Sequence, residues 1–166
     1  MRARSWAAAI LICAPAMAFA QGAQVPFGGL KHDPTKQVEI TADGLTLDQA
    51  AGTAIFAGGV KVGQGTLRMA SDRLEVFYAA RQGDATGAVE RMLASGNVTL
   101  SNGVEAAESR SATYDVVAGT ILMEGDVLLT QGANALSSER LTIDLNAGTG
   151  ALDGRVRTIF RPDAAQ

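Results

Sequence analysis

The residues of this sequence that could take part in catalysis or metal binding are a single histidine, a single cysteine and scattered serines and acidic residues. His32 lies in the Gly/Pro-rich segment QGAQVPFGGLKHDPTK, and Cys13 lies in an apolar run near the N-terminus. A protein metal site needs several converging ligands, and a nucleophile needs a base beside it. We therefore expect no metal site, no catalytic centre and no cofactor.

The serines and aspartates that could carry chemistry occur instead at repeated positions. Ser71, Ser109 and Ser138 share one place in a recurring pattern, which favours a structural role over that of a nucleophile. Three aspartates likewise each precede a glycine by four residues: Asp48, Asp115 and Asp144. Aspartate followed by glycine is typical of a tight turn. No glycine-rich phosphate loop opens a helix. The sequence predicts a protein that is not an enzyme.

A 29-residue repeat organises the chain. Its units start at Asp43, Asp72, Arg110 and Glu139, at spacings of 29, 38 and 29 residues. The longer spacing indicates a nine-residue insertion, which we place at RQGDATGAV, residues 81–89. After each start, apolar residues recur at every second position, the pattern of a strand with one buried face.

Glycines bracket a short apolar run in each unit. These octets read GGVKVGQG (58–65), GNVTLSNG (96–103) and GDVLLTQG (125–132), and GRVRTIFR (154–161) begins alike but lacks the last glycine. The closing glycines predict tight turns. A glycine before the first valine indicates a β-bulge or a close approach of two backbones.

Two strands per unit predict roughly eight long strands, or more if bulges split them. The fold class is therefore all-β, a folded antiparallel sheet built from ~29-residue repeats. One sheet cannot bury an apolar face alone, so it must fold over or pack on a second layer. Its interior would be either a filled core or a partly open apolar trough.

The alternation predicts which residues face the interior. They are Leu45, Leu47, Phe56, Val60, Val62, Leu67, Met69, Leu74, Val76, Val98, Leu100, Val127, Leu129, Leu141 and Ile143.

The N-terminus has the layout of a cleavable secretory signal: basic residues, a short apolar run and Ala18-Phe19-Ala20. We divide the chain into a signal (1–20), a flexible segment (21–36), the β domain (37–160) and a C-terminal tail (161–166). Acidic residues outnumber basic ones by 17 to 14, and no basic block is present. Nucleic-acid binding therefore has no electrostatic basis.

The segments TADGLTLDQAAGTAIFAGGVKVGQG and MASDRLEVFY resemble the LptA/OstA family, and the likeness covers residues 37–160. The resemblance implies a V-shaped β-jelly roll in the periplasm whose interior holds the acyl chains of lipopolysaccharide. It also implies end-to-end assembly between inner-membrane and outer-membrane transport components that carry related domains. On this basis, some of the predicted interior residues should contact acyl chains.

Three functional hypotheses stay open at this stage. The first is the soluble lipopolysaccharide bridge. The second is an anchored inner-membrane component or the periplasmic domain of a larger translocon. The cleavage site argues against the anchored form, and the absence of a following barrel argues against the translocon. The third is a structural or adhesive periplasmic β protein with a fully packed core.

The missing glycine of the fourth octet predicts an open sheet edge. We expect no local return strand after Val156, Arg157, Thr158, Ile159 and Phe160. Unpaired backbone groups invite strand addition, so we predict head-to-tail association of this edge with an N-terminal edge. The N-terminal edge consists of Val38, Glu39, Ile40 and Thr41. Nearby arginines and Pro162 are typical of edges that resist pairing, so the contact would be weak or reserved for a partner.

Overall fold

The computed structural model describes residues 23–26, 36–79 and 88–159. All the secondary-structure elements in these ranges are β-strands. The eleven strands are β1 (Ala23–Pro26), β2 (Val38–Thr41), β3 (Gly44–Asp48), β4 (Thr53–Gln64), β5 (Leu67–Tyr78), β6 (Val89–Ser101), β7 (Glu105–Asp115), β8 (Thr120–Gln131), β9 (Asn134–Asp144), β10 (Thr149–Asp153) and β11 (Arg157–Ile159).

All of them belong to one antiparallel sheet that does not close. Its order is β1-β10-β9-β8-β7-β6-β5-β4-β2, with β3 also on β4 and β11 also on β9. β2 and β3 form one strand split by a break, and so do β10 and β11. Together with the six long strands β4 to β9, they make the eight strands that the repeat predicted.

The glycine before each octet's valine lies in a β-bulge. Between the pairs Ala57↔Arg73 and Val60↔Ser71, two residues of β4 oppose one residue of β5. The two bulged residues are Gly58 (φ 80°) and Gly59 (φ 52°). Both have left-handed backbone conformations, which glycine adopts without steric cost.

The same bulge recurs along the sheet. Left-handed pairs stand at Gly58-Gly59, Gly96-Asn97, Gly125-Asp126 and Gly154-Arg155, which we call the bulge line. Register shifts on β6 and β8 coincide with the second and third of these pairs. Because a bulge bends its strand and increases the local twist, a row of bulges at one level bends the whole sheet.

The first glycine of each pair is covered by the residue that starts a repeat unit. A Cβ added to Gly154 would lie 2.7 Å from the Cβ of Glu139, and one added to Gly125 would lie 3.1 Å from the Cβ of Arg110. The repeat thus pairs a glycine with the side chain that covers it.

Buried serines donate hydrogen bonds to backbone carbonyls on the strands opposite the bulges. Ser71, Ser109 and Ser138 are buried, and their hydroxyls donate to the carbonyl two residues further on, at 3.1, 2.9 and 2.9 Å. After each serine, two consecutive residues point outward, so the ladder is irregular there. The hydroxyl supplies a partner for a backbone group that a regular ladder would have paired.

Aspartates close the hairpins between β7 and β8 and between β9 and β10, as predicted. The Asp115 carboxylate accepts from the N–H of Ala118 at 2.8 Å, and Gly119 (φ 68°) donates to the Asp115 carbonyl at 2.9 Å. Asp144 holds the N–H groups of Asn146 and Ala147 in the same way. These residues are turn formers rather than a carboxylate pair.

The core lies on one face of the sheet, and the sheet buries that face by folding over it. The largest fully buried side chains are Leu74, Met123, Leu129, Leu141, Ile143, Leu152, Val60, Val76, Val98 and Val127. The described strands all belong to one sheet, so among the described residues it is another part of that sheet that covers them.

Two of the predicted interior residues are exposed to solvent instead of being covered by the interior. Leu45 is 54% exposed and Leu47 is 65% exposed. Their cross-strand partners Phe56 and Ala54 lie on the core face, so the predicted side is right. The exposure follows from position, because β3 is an edge strand with no described strand beyond it.

The flexible segment predicted at 21–36 contains a strand, which corrects that expectation. β1 pairs with β10 in the register Ala23↔Leu152 to Pro26↔Thr149. The signal at 1–20, most of the insertion at 81–89, Phe160 and the tail at 161–166 lie outside the described residues.

Candidate functional site: an apolar trough on the inner face

The folded sheet leaves a narrow apolar cavity of about 50 Å³ on its inner face, and we call this cavity with its lining residues the trough. Its volume is below the usual range for small-molecule sites, so the trough is a gap between side chains rather than a roomy pocket. Six of the predicted interior residues line it: Val62, Leu67, Met69, Leu74, Val98 and Leu100.

Other predicted interior residues are on the same face but outside the cavity wall. Phe56 packs against the core and is half-buried, while the rest are buried: Val60, Val76, Val127, Leu129, Leu141 and Ile143. These side chains support the trough rather than line it.

The interior prediction missed seven residues that line the cavity, of which Val38 was expected only as an edge residue. They are Val38, Gln64, Met92, Ala94, Ala112, Tyr114 and Ile121. The sequence could have indicated two of them, because Ala94 and Met92 have the same period-2 parity as Val98. Tyr114 and Ile121 lie on the same face through cross-strand pairing, since Met92 pairs with Tyr114 and Tyr114 pairs with Ile121.

The trough occupies only part of the inner face. Its lining residues come from β2 and β4 to β8, and among the described residues none comes from β9 or β10. Fully buried side chains occur throughout this face, among them Val60 and Leu74 on β4 and β5 and Leu141 and Leu152 on β9 and β10. The described interior is therefore mostly packed, with a narrow cavity between its side chains.

A polar row ends the trough on one side. Glu105, Gln131 and Asn134 are cross-strand partners next to the turns that close the octets. The Glu105 carboxylate accepts from the Gln131 side-chain amide at 2.8 Å and from the Asn102 side-chain amide at 3.1 Å. This end can therefore meet water or a polar headgroup.

The opposite end is apolar apart from two phenols, those of Tyr78 and Tyr114. Tyr78 and Val89 pack against the core there, and Leu145 is buried. Burial, and then the nearby carboxylate of Asp115, raise the pKa of the Tyr114 phenol above its ordinary value of 10.0. The phenol is therefore neutral at physiological pH, and the cavity wall carries no charge at that point.

The described residues contain no group of His, Cys, Asp and Glu side chains that could hold a metal ion. They also contain no helix that is long and apolar enough to cross a membrane. The chemistry available at the trough is the binding of apolar groups by aliphatic side chains, with hydrogen-bonding groups at one end.

The described strands define a class of β protein built from a single open antiparallel sheet, folded along a line of bulges around an apolar cavity. Residues 39–149 match the family described as LptA/(LptD N-terminal domain) LPS transport protein, and the chain belongs to this family. The resemblance found in the sequence is thereby confirmed. The family is one of transport proteins, which agrees with the expectation that the chain is not an enzyme.

Two similar proteins show how far the likeness extends. The structure of LptH, the LptA-homologous periplasmic component of the lipopolysaccharide transport device from Pseudomonas aeruginosa, superposes with a TM-score of 0.65 at 16% identity, over 76% of this chain and 96% of that one. An uncharacterized protein of Rhizobium meliloti (strain 1021) is 31% identical over 109 residues, 64% of this chain. The match spans 59% of that relative's length. The first comparison confirms the predicted fold.

Proposed function

We propose that this chain carries lipopolysaccharide through the periplasm by sheltering acyl chains in its apolar trough. The observation that supports this most directly is the cavity lined by Val62, Leu67, Met69 and their neighbours. The match to a lipopolysaccharide transport family favours this role over that of a structural β protein with a filled core. Fully buried side chains, from Val60 on β4 to Leu152 on β10, stabilise the fold around the trough.

The physical need for shelter is large. Exposing a methylene group to water costs about 0.8 kcal/mol, so one acyl chain in water costs on the order of 10 kcal/mol. Aliphatic side chains remove that cost without binding the chain through fixed polar contacts. Release to a partner then requires only another apolar surface of similar quality.

The location and partners that fit this role come from the family. We propose that residues 1–20 direct export and are removed, and that the remaining chain works between inner-membrane and outer-membrane components with related domains. Those components would meet the two edges of the sheet.

The two edges are suited to head-to-tail association. The outer edges of β2 and of β11 pair with no described strand, which leaves backbone donors and acceptors free for strand addition. Apolar side chains are exposed on both sides, with Leu45 and Leu47 beside one edge and Ile159, 58% exposed, on the other. Joining the edges would cover these side chains and extend the trough from one copy to the next.

Photo-crosslinking in cells tests the carrier directly. A photoreactive residue at Met69, in the cavity wall, should attach to lipopolysaccharide, whereas one at Thr99, exposed on the outer face, should not. Labelling at Thr99 without labelling at Met69 would contradict the proposal.

A substitution complements the crosslink. Val62→Thr keeps the branched shape but adds a hydroxyl to the cavity wall, so lipid binding should weaken. Thr130→Val on the exposed outer face is the control and should leave binding unchanged. Equal binding by both variants would indicate that the trough does not hold the lipid.

A further inference from the structure

The C-terminal end of the sheet is not uniformly open. β10 lies between β9 and β1, with Gln24 opposite Ala151 and Val25 opposite Gly150. β11, which continues β10 past the bulge line, pairs only with β9 among the strands described. One half of this edge is therefore covered by the chain's own N-terminal strand, and the other half is free.

The covering strand runs in the direction that an incoming strand would need. Strands alternate in direction from β4 to β10, so β10 runs parallel to β4. β2 and β3 run antiparallel to β4, and β1 runs antiparallel to β10. β1 thus has the same direction as the N-terminal edge of a second copy that continued the sheet.

The positions of the strands relative to the bulge line match as well as their directions. β3 pairs with the part of β4 that precedes the bulge, and β10 is at the same level of the sheet. β2 and β11 both lie on the other side of the bulge line. A second copy docked in register would therefore place its β3 on β10 and its β2 on β11, and β1 already occupies the first of these places.

We propose that the β10 edge is a strand-docking site that β1 fills in cis, in competition with β3 of a second copy. This inference rests on the head-to-tail association proposed above. With β1 in place, an incoming copy can pair only with β11. When β1 leaves, β10 adds its length to the contact. Because β1 belongs to the same chain, its effective concentration is high, and the covered state dominates in dilute solution.

Covering an edge with a short strand is a known way to prevent unwanted sheet growth. Here the cover would limit assembly until a second copy is concentrated enough to displace it. The device would be reversible, since a strand of four residues forms few backbone hydrogen bonds with β10.

A disulfide lock tests the competition. Gln24→Cys with Ala151→Cys places cysteines at directly opposite positions, where the Cα separation suits a disulfide. The background is Cys13→Ser, so that no other cysteine remains. Light scattering over a concentration series should show that the oxidised protein needs at least ten-fold more protein to associate than the same protein after reduction. Identical curves would overturn the proposal.

A second variant moves the equilibrium the other way. Gln24→Pro with Val25→Pro removes the backbone N–H groups of both residues and should weaken pairing with β10. Association should then begin at a concentration at least ten-fold lower than for the unsubstituted protein, and unchanged or weaker association would overturn the proposal. Crosslinking from Met69 to lipopolysaccharide separates the two ideas. If that labelling persists while association does not respond to β1, only the competition is wrong.

Discussion

The main-chain N–H of Glu139 donates a hydrogen bond to the carbonyl of Gly154 at 2.9 Å, and the side chain of Glu139 covers the same glycine. Asp43 and Gly58 repeat this relationship at the other end of the sheet, again at 2.9 Å. The bend of the sheet therefore depends on a backbone contact between a repeat-start residue and a glycine. Both residues recur in each repeat unit, so the same local arrangement bends the sheet at each bulge.

Substituting a bulge glycine should destabilise the fold more than substituting a turn glycine. In Gly154→Ala the new Cβ overlaps the Glu139 side chain, which adds about 1–3 kcal/mol to the strain of the left-handed backbone. Gly132→Ala is the matched control, because Gly132 (φ 58°) has the same strain but no described atom within 4 Å of the added Cβ. Urea unfolding compares them, and equal losses would show that the covering side chain gives way.

The buried serine hydroxyls should matter although they carry no chemistry. Ser109→Ala leaves the Ser111 carbonyl without its 2.9 Å partner and should lower the free energy of unfolding by about 1–3 kcal/mol. Ser95→Ala, on the exposed face, should change it by under ~0.5 kcal/mol. A neutral Ser109→Ala would mean that water replaces the hydroxyl.

Truncation should have different effects at a fully buried position and in the cavity wall. Leu141→Ala, at a fully buried position, should cost about 2–5 kcal/mol of unfolding free energy. Leu67→Ala, in the half-buried cavity wall, should cost less and should instead weaken lipid binding. The reverse pattern in unfolding and binding assays would contradict the assignment of the cavity wall as the lipid site.

Alkaline pH should destabilise the protein through Tyr114. Its pKa is raised by burial and by Asp115, so the folded state holds this proton more tightly than the unfolded state. The resulting stabilisation is fully present below about pH 10 and is lost as the pH rises through the folded-state pKa. Tyr114→Phe should therefore flatten the fall in unfolding free energy above pH 10, and an unchanged slope would assign that fall to other groups.

The ion pair between Arg110 and Asp126 should contribute little, because their side chains are 73% and 80% exposed. Asp126→Asn removes the charge but keeps a residue that tolerates the left-handed φ of 52°. The free energy of unfolding should change by under ~1 kcal/mol. Asp126→Val, which cannot adopt that backbone easily, should cost more in the same assay. Similar effects of the two would favour charge over backbone conformation as the reason for aspartate.

The sequence by itself determined what is local and repeated. Alternation along Val98-Thr99-Leu100 predicts a strand with one inner face. The aspartate four residues before Gly119 predicts the hairpin between β7 and β8. Repetition of these patterns every 29 residues predicts the number of strands and the all-β class. These features follow from backbone and side-chain properties within a few residues, which is why reading along the chain recovers them.

Only the tertiary structure decided what depends on neighbours across strands. Leu45 and Phe56 are opposite partners on one face, yet Leu45 is exposed because no described strand lies beyond β3. Tyr114 joins the cavity wall through its cross-strand partners, and β1 reaches β10 across more than 120 residues of sequence. Burial and cavity shape depend on which strands meet and where the sheet ends, and no pattern of short period in the chain contains that information.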